Sequence, residues 1–262
     1  MSRTLDPADF YSGIVVDAYA RLKSSSFDPA PYAAFVRSHG EPGLEVGCGD
    51  GAPLLDLCAA GLDVDGVDSS FDMVSRCRRN ATRRGLTPEV FHQRVEDLAL
   101  PRRYRAVYFA GPTFNLLPDD DTAARALRAI AGHLAPGGAA LVPLWVPAAT
   151  PADDLGVTRT AEAGDGVQLR YTALTEVHDP ASRTRTTRVR YERATAGGTD
   201  VADRDWVIHW HTPAGFRALC AAAGLDVADV RDDATGEPAA EDATSFTAVV
   251  RRPDQASPRS ER

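Results

Sequence analysis

Leu44-Glu45-Val46-Gly47-Cys48-Gly49-Asp50-Gly51 is the stretch that decides the fold. A short apolar run that breaks into alternating glycines and resumes as a helix around Leu54-Ala60 predicts a strand, a tight loop and a helix. Gly47 and Gly49 lack the β-carbons that would hold a ligand away from the backbone, and they reach positive φ without strain. Such a loop at a helix start is suited to lie against a ligand. Alone it is ambiguous, because Gly47, Gly49 and Ala52 also satisfy the dinucleotide pattern G-x-G-x-x-A.

Working outward, the same alternation repeats. Val64-Val67 reads as a second strand ending at Asp68, followed by a helix over Phe71-Arg84 that stops at Gly85. A third strand at Val90-Gln93 leads into Val95-Glu96-Asp97-Leu98, and a fourth at Ala106-Ala110 runs into Gly111-Pro112. An Ala-rich helix over Asp121-Leu134 and the break Ala135-Pro136-Gly137-Gly138 introduce a fifth strand at Ala139-Leu144. Strand and helix in alternation predict a parallel sheet.

Beyond the fifth strand the pattern changes. Val167-Thr175, Thr184-Glu192 and Asp205-His211 are β-branched or aromatic-rich runs separated by Asp179-Pro180 and Gly197-Gly198, which predicts antiparallel strands. A helix at Pro213-Ala223, closed by Gly224, and strands at Leu225-Val230 and Ser245-Arg251 return the chain to the main sheet. The expected fold is α/β: a Rossmann-like, doubly wound seven-stranded sheet with an antiparallel β insertion after the fifth strand. Residues 1–42 form an N-terminal helical lid, with Phe10, Ile14, Val15, Ala18, Tyr19 and Leu22 at helical spacing. Residues 43–145 form the core, 146–211 the insertion, 212–252 the closing helix and strands, and 253–262 a disordered polar tail.

Composition excludes several partners. A net charge of −8 argues against nucleic acid, which needs a clustered positive surface. No apolar run is long enough to span a membrane, and the first turns are acidic rather than signal-like, so the expectation is a cytoplasmic protein that engages no membrane. Cys48, Cys58, Cys77 and Cys220 are scattered without ligand spacing, which speaks against both a metal site and a disulfide framework.

Two carboxylates sharpen the reading of the loop. Glu45 ends the first strand, where an acid would repel a pyrophosphate but engage a positively charged amino group, directly or through water. Asp68 ends the second strand, where it can accept from both hydroxyls of a ribose. With these, E-V-G-C-G-D-G, V-D-G-V-D-S-S with Met73 downstream, Q-R-V-E-D-L, and L-A-P-G-G before the fifth strand resemble the ordered motifs of class I S-adenosylmethionine-dependent methyltransferases of small-molecule type, over about the first 145 residues.

The resemblance implies that S-adenosyl-L-methionine is the cofactor. Glu45, Gly47, Cys48 and Gly49 would line its methionine end, Asp68 would hold the ribose, Ser69 and Met73 would flank the adenine, and Val95 and Glu96 would close over its far edge. Family members often carry an acid just before the position of Val95, where this chain has Arg94; Glu96 or the backbone at Val95 would take over that hydrogen bond. Tyr11 and Tyr19 resemble the aromatic lid of related enzymes, with Tyr11 facing the methionine carboxylate and Tyr19 the substrate; a buried helix face explains Tyr19 equally well.

The loop after the fourth strand should face the reacting methyl group, because ligands of open α/β sheets bind beyond the carboxyl ends of the strands. There Asn115 is a candidate to orient an acceptor and Phe114 to pack on it, against the plainer reading of a capped turn with a core phenylalanine. In the insertion, alternation puts His209 and His211 on one face and Trp206 and Trp210 on the other. If the histidines look into the pocket, either is a candidate catalytic base; if the tryptophans do, Trp210 is a substrate contact. Histidines on an outer face and tryptophans packing the insertion remain the competing reading.

The predicted activity is methyl transfer to oxygen, nitrogen or carbon of a small-molecule acceptor enclosed by the insertion. An NAD(P)-dependent oxidoreductase and an S-adenosylmethionine-binding protein without methyl transfer are the alternatives. The exposed edges of the insertion leave a homodimer open.

Overall fold

The computed structural model describes residues 9–22 and 28–253. From Asp254 onward the expected tail, and the first residues of the lid, lie outside the described residues. The chain opens with α1 (Ile14–Leu22) and α2 (Ala30–His39), then enters β1 (Gly43–Val46), α3 (Leu54–Ala59), β2 (Val64–Asp68), α4 (Phe71–Arg83) and β3 (Val90–His92). It continues through β4 (Tyr104–Phe109), α5 (Asp120–His133) and β5 (Leu134–Trp145). Four strands follow, β6 (Thr158–Glu162), β7 (Gln168–Asp179), β8 (Thr184–Thr195) and β9 (Gly198–His209), before α6 (Pro213–Ala222), β10 (Asp226–Asp232) and β11 (Ser245–Arg251).

The main sheet has seven strands in the order β10-β11-β5-β4-β1-β2-β3. Its β1, β2, β3, β4 and β5 pair in parallel, and β11 pairs antiparallel with both β5 and β10. The order reverses between β1 and β4, so the connections leaving these two strands diverge and open a crevice at their carboxyl ends. Helices cover both faces. Phe216 and Cys220 of α6 and Leu127 and Ile130 of α5 pack on one side, while Val36, Leu54, Val74 and Cys77 pack on the other.

Local chemistry sets the helix starts. Ser70 caps α4 by accepting from the Met73 N–H at 3.1 Å, and Asp119 caps α5 by accepting from the Thr122 N–H at 2.7 Å. Thr212 caps α6 ahead of Pro213, whose missing N–H costs nothing at that position. Beside the glycine loop, a β-carbon on Gly66 would lie 2.7 Å from Leu54 Cδ2 and 2.9 Å from Cys48 Sγ, so α3 packs on β2 at a distance only glycine permits.

The insertion is a separate four-stranded antiparallel sheet, β6-β7-β8-β9. It is longer than its hydrophobic pattern indicates: β6 went unread, and β9 begins at Gly198 rather than near Asp205. The reason is charge. The pairs Arg190–Asp203 at 2.8 Å and Arg193–Asp200 at 2.7 Å cross between β8 and β9, so the first half of β9 is held by ions and carries no apolar signature. At its other end β9 stops at His209, leaving Trp210 and His211 outside the strand.

Replacing Gly66 by alanine forces Leu54 and Cys48 apart, and overpacking of this kind costs about 1–3 kcal/mol. A lowered urea midpoint with an unchanged slope checks this; an unchanged midpoint contradicts the close packing.

Candidate active site

A cavity of about 630 Å³ occupies the crevice at the switch point. Its floor is the glycine loop. Gly47 has φ +73°, and a β-carbon there would meet Thr113 Cγ2 at 2.5 Å; Gly49 has φ +52°, and a β-carbon there would project into open space. At Gly47 the protein itself, through Thr113, packs against the bare backbone, whereas at Gly49 the backbone is left open to a ligand.

Asp68 closes one wall. Its Oδ2 accepts from the Gly49 N–H and its Oδ1 from the Ser70 N–H, both at 2.8 Å, so the carboxylate is fixed to the loop and to the start of α4 while each oxygen keeps a lone pair for a ligand. Burial pushes its carboxyl above the usual range, and these two N–H groups pull the other way. Ser69, Met73, Val95 and Glu96 line the cavity further along, joined by Gln93 and Arg94. Glu96 is nearly enclosed and sits 3.8 Å from Arg94.

The roof comes from the N-terminal segment and the insertion. Phe10, Tyr11 and Tyr19 line the cavity, with Tyr11 edge-on to Tyr19 at 5.5 Å. The lid is tied down on both sides. Ser70 Oγ donates to the Tyr11 carbonyl, the Gly13 N–H donates to Asp72 at 2.8 Å, and Asp17 accepts from Arg76 of α4 at 3.1 Å and from Arg193 of β8 at 3.0 Å. Burial raises the Tyr11 phenol well above its ordinary value and the Tyr19 phenol to about 12. Asp205, Trp206 and Val207 supply the wall opposite.

The structure thus brings together Tyr11, Tyr19, Gly47, Gly49, Asp68, Ser69, Met73, Val95 and Glu96. It does not bring in the remaining candidates. Glu45 is fully buried behind the loop, its Oε2 accepting from the Tyr108 hydroxyl at 2.8 Å, and burial pushes its carboxyl well up, which weakens it as a partner for an ammonium group. Cys48 is buried against Gly66 and the α3 side chains. Phe114 is a core residue, edge-on to Phe109 and Phe216.

Asn115 is not an acceptor contact but a clamp. Its side-chain amide donates to the Trp145 carbonyl at 2.8 Å and to the His209 carbonyl at 3.0 Å, and its oxygen accepts from the Trp145 N–H at 3.1 Å. Trp210, expected as a substrate contact, is buried and stacked 4.9 Å from the half-buried His178. Because β9 ends at His209, alternation no longer governs where Trp210 and His211 point.

His209 and His211 are likewise outside the cavity wall. They face Asp120, with His209 Nε2 at 3.5 Å and His211 Nδ1 at 3.7 Å from its Oδ1. Asp120 is also ion-paired with Arg183, which sets a cation beside its carboxylate. Burial, with His209 and Arg183 adding to it, holds His211 down at about 4, and burial also lowers His209. Neither imidazole is placed or tuned to take a proton from a bound acceptor.

Sequence reading did not single out Phe10, Gln93 and Thr113 of the wall; of the tryptophan face it left open, Trp206 lines the cavity, and a further group, Arg185, lines an adjoining cavity of about 440 Å³. Arg185 had a signal: it shares strand parity with Val189 and Tyr191, the buried face of β8.

Two outcomes follow from these contacts. Asn115→Ala strips three buried backbone groups of their partner and should cost roughly 3 kcal/mol, read as a lowered denaturation midpoint. His211 has a folded pKa near 4 against an ordinary 6.5, so the unfolded chain binds the extra proton between these values. Its contribution is complete above 6.5 and is lost as pH falls toward 4. Melting temperatures over that range should therefore fall less steeply in His211→Gln than in the parent; identical slopes would contradict the assignment.

Comparison with known proteins agrees with this geometry. Residues 44–138 match the family model described as a methyltransferase domain. The chain is 28% identical over 237 residues to the cypemycin N-terminal methyltransferase of a Streptomyces species, covering 89% of this chain and 93% of that protein. It is 28% identical over 238 residues to dTDP-3-amino-3,6-dideoxy-alpha-D-glucopyranose N,N-dimethyltransferase of Streptomyces fradiae, covering 86% and 89%. Among solved structures, the CcbJ methyltransferase of Streptomyces caelestis superposes with a TM-score of 0.72 at 22% identity over 95% of this chain and 99% of that one. The matched domain and the named relatives set aside the nicotinamide alternative: the chain is a methyltransferase, with S-adenosylmethionine as its methyl donor.

Proposed function

We propose that this methyltransferase acts on the amine nitrogen of a small-molecule acceptor. One observation carries the reading: among the described residues, the wall where the acceptor must meet the methyl donor offers no free general base. It is built from Phe10, Tyr11, Tyr19 and Trp206. Both phenols are held protonated by burial. Of the cavity's carboxylates, Asp68 is held by two backbone N–H groups, Asp205 is paired with Arg188 at 3.0 Å, and Glu96 faces Arg94 at 3.8 Å.

A hydroxyl acceptor would need a base to become nucleophilic, whereas a neutral amine already carries the attacking lone pair and can release its proton to water afterwards. Bound S-adenosylmethionine supplies an electrophilic methyl on a sulfonium, so the chain's share is positioning and exclusion of water. Asp68 would accept from the ribose hydroxyls, the glycine loop would let the backbone approach, and the aromatic lid would cover the reacting region. That the curated relatives are named for methylation of an N-terminus and of an amino sugar supports nitrogen over oxygen or carbon.

No described helix is long and apolar enough to cross a membrane, and the net charge of −8 supports a reading without nucleic acid; a cytoplasmic location, and a homodimer through the exposed edges of the insertion, belong to the same proposal.

The test is a matched panel of amines and alcohols, with methylation followed by mass spectrometry. The expected result is turnover on amines alone, with a rate that rises with pH and tracks the pKa of each amine, because only the free base attacks. Turnover on alcohols, or a profile set near 6.5 whatever the amine, would overturn it. In parallel, Asp68→Ala should weaken binding of both S-adenosylmethionine and S-adenosylhomocysteine by about tenfold or more in calorimetry, since it removes a bidentate acceptor.

A further inference from the structure

β8 alternates strictly, and its inward residues Arg185, Thr187, Val189 and Tyr191 all line the second cavity of about 440 Å³. Three of these are what a pocket wall ordinarily contains. The fourth is an arginine only 7% exposed. Burying a guanidinium is costly unless its donors are used, and it carries five N–H donors in a fixed fork.

Those donors are largely unspent. Among the described residues Arg185 makes one hydrogen bond, from Nη1 to the Ala148 carbonyl at 3.2 Å, and its buried Nε has no partner. The nearest carboxylate, Glu176, lies 3.7 Å from Nε, beyond hydrogen-bond range. Glu176 reaches this face because β7 carries a bulge after Ala173, and its oxygens are engaged elsewhere. They accept from the Thr150 N–H at 2.7 Å, the Thr150 hydroxyl at 2.6 Å and the Thr187 hydroxyl at 2.9 Å. Glu176 therefore offsets the charge of Arg185 without occupying its fork.

The guanidinium is held in place from elsewhere. Its carbon lies 4.7 Å from the ring centre of Trp145 and 5.8 Å from that of Trp206, an arrangement that fixes the plane through the aromatic faces and leaves the N–H edge for another partner. Trp206 belongs to the walls of both cavities, so a ligand seated at Arg185 extends toward the methyl donor. At the exposed rim, Arg159 and Asp154 face the same space and cancel each other in charge, so the fork itself, and not a general positive field, carries the argument.

We propose that the second cavity is the acceptor subsite and that Arg185 clamps an oxyanion of the acceptor, so that the substrate is an amine bearing a carboxylate or a phosphoryl group. This rests on the methyltransferase reading and adds to it the chemical class of the substrate. A planar fork paired with two anionic oxygens is the bidentate geometry that arginine favours. The aromatic walls formed by Tyr171, Tyr191 and Trp206 suit a ring or flat moiety next to that group.

The experiment uses the full chain saturated with S-adenosylhomocysteine and titrated with phenylacetate, phenyl phosphate and phenylacetamide. The two anions should bind at least about tenfold more tightly than the isosteric amide, and the tighter of the two identifies carboxylate or phosphoryl as the natural group. In Arg185→Gln that preference should vanish, and in Arg185→Lys, which keeps the charge but loses the fork, it should be reduced. Equal binding of anion and amide by the parent overturns the proposal, as does a preference that survives in Arg185→Gln. The parent comparison decides even where a variant does not fold. Affinity for S-adenosylhomocysteine is measured in the same titrations, so a failure of the cofactor reading is seen separately from a failure of the clamp.

Discussion

One buried amide holds the two halves of the site in register. Asn115, in the short turn after β4, satisfies both backbone groups of Trp145 at the end of β5 and the carbonyl of His209 at the end of β9. Without it three polar groups at the junction of sheet and insertion would be buried and unpaired, a penalty of about 1–3 kcal/mol each. With it, the insertion is anchored where the switch point opens. Trp206, three residues before His209, then stands in the wall of both cavities, and Trp145 lies under Arg185. The placement of the wall around Trp206 is a consequence of this clamp.

The other half of the architecture is the fixed carboxylate of Asp68. By accepting from Gly49 and Ser70 it couples the glycine loop to the start of α4, while Ser70 in turn donates to the backbone of the lid at Tyr11. Loop, carboxylate and lid are thus hydrogen-bonded to one another. A site preorganised in this way needs little rearrangement to accept a nucleoside, which is how binding is converted into orientation rather than spent on ordering.

Much of this was legible from residue order. The parallel core follows from strand, glycine and helix in repetition, and the floor from Gly47, Gly49 and Asp68, because backbone conformation and strand ends are local properties. The insertion was readable where its strands are apolar, as in β7 and β8, and unreadable along Gly198–Arg204, where cross-strand arginine and aspartate pairs replace hydrophobic alternation. Glu45 illustrates a second limit. Its position at the loop is evident, but the hydroxyl of Tyr108 that turns it inward comes from a different strand. His209 and His211 illustrate a third: their chemistry suits a base and they share a side, yet that side meets Asp120 and not the cavity. Long-range partners decided each of these cases.

The account's central claim is that the glycine loop, Asp68 and the aromatic lid close on one ligand. Hydrogen exchange of the full chain with and without S-adenosylhomocysteine tests this most directly. Slowed exchange confined to Gly47–Gly51, Asp68–Met73, Val95–Leu98 and the lid around Tyr11–Tyr19 is the predicted result. Protection that spares the lid, or that appears at His209 and His211 instead of the loop, would contradict it.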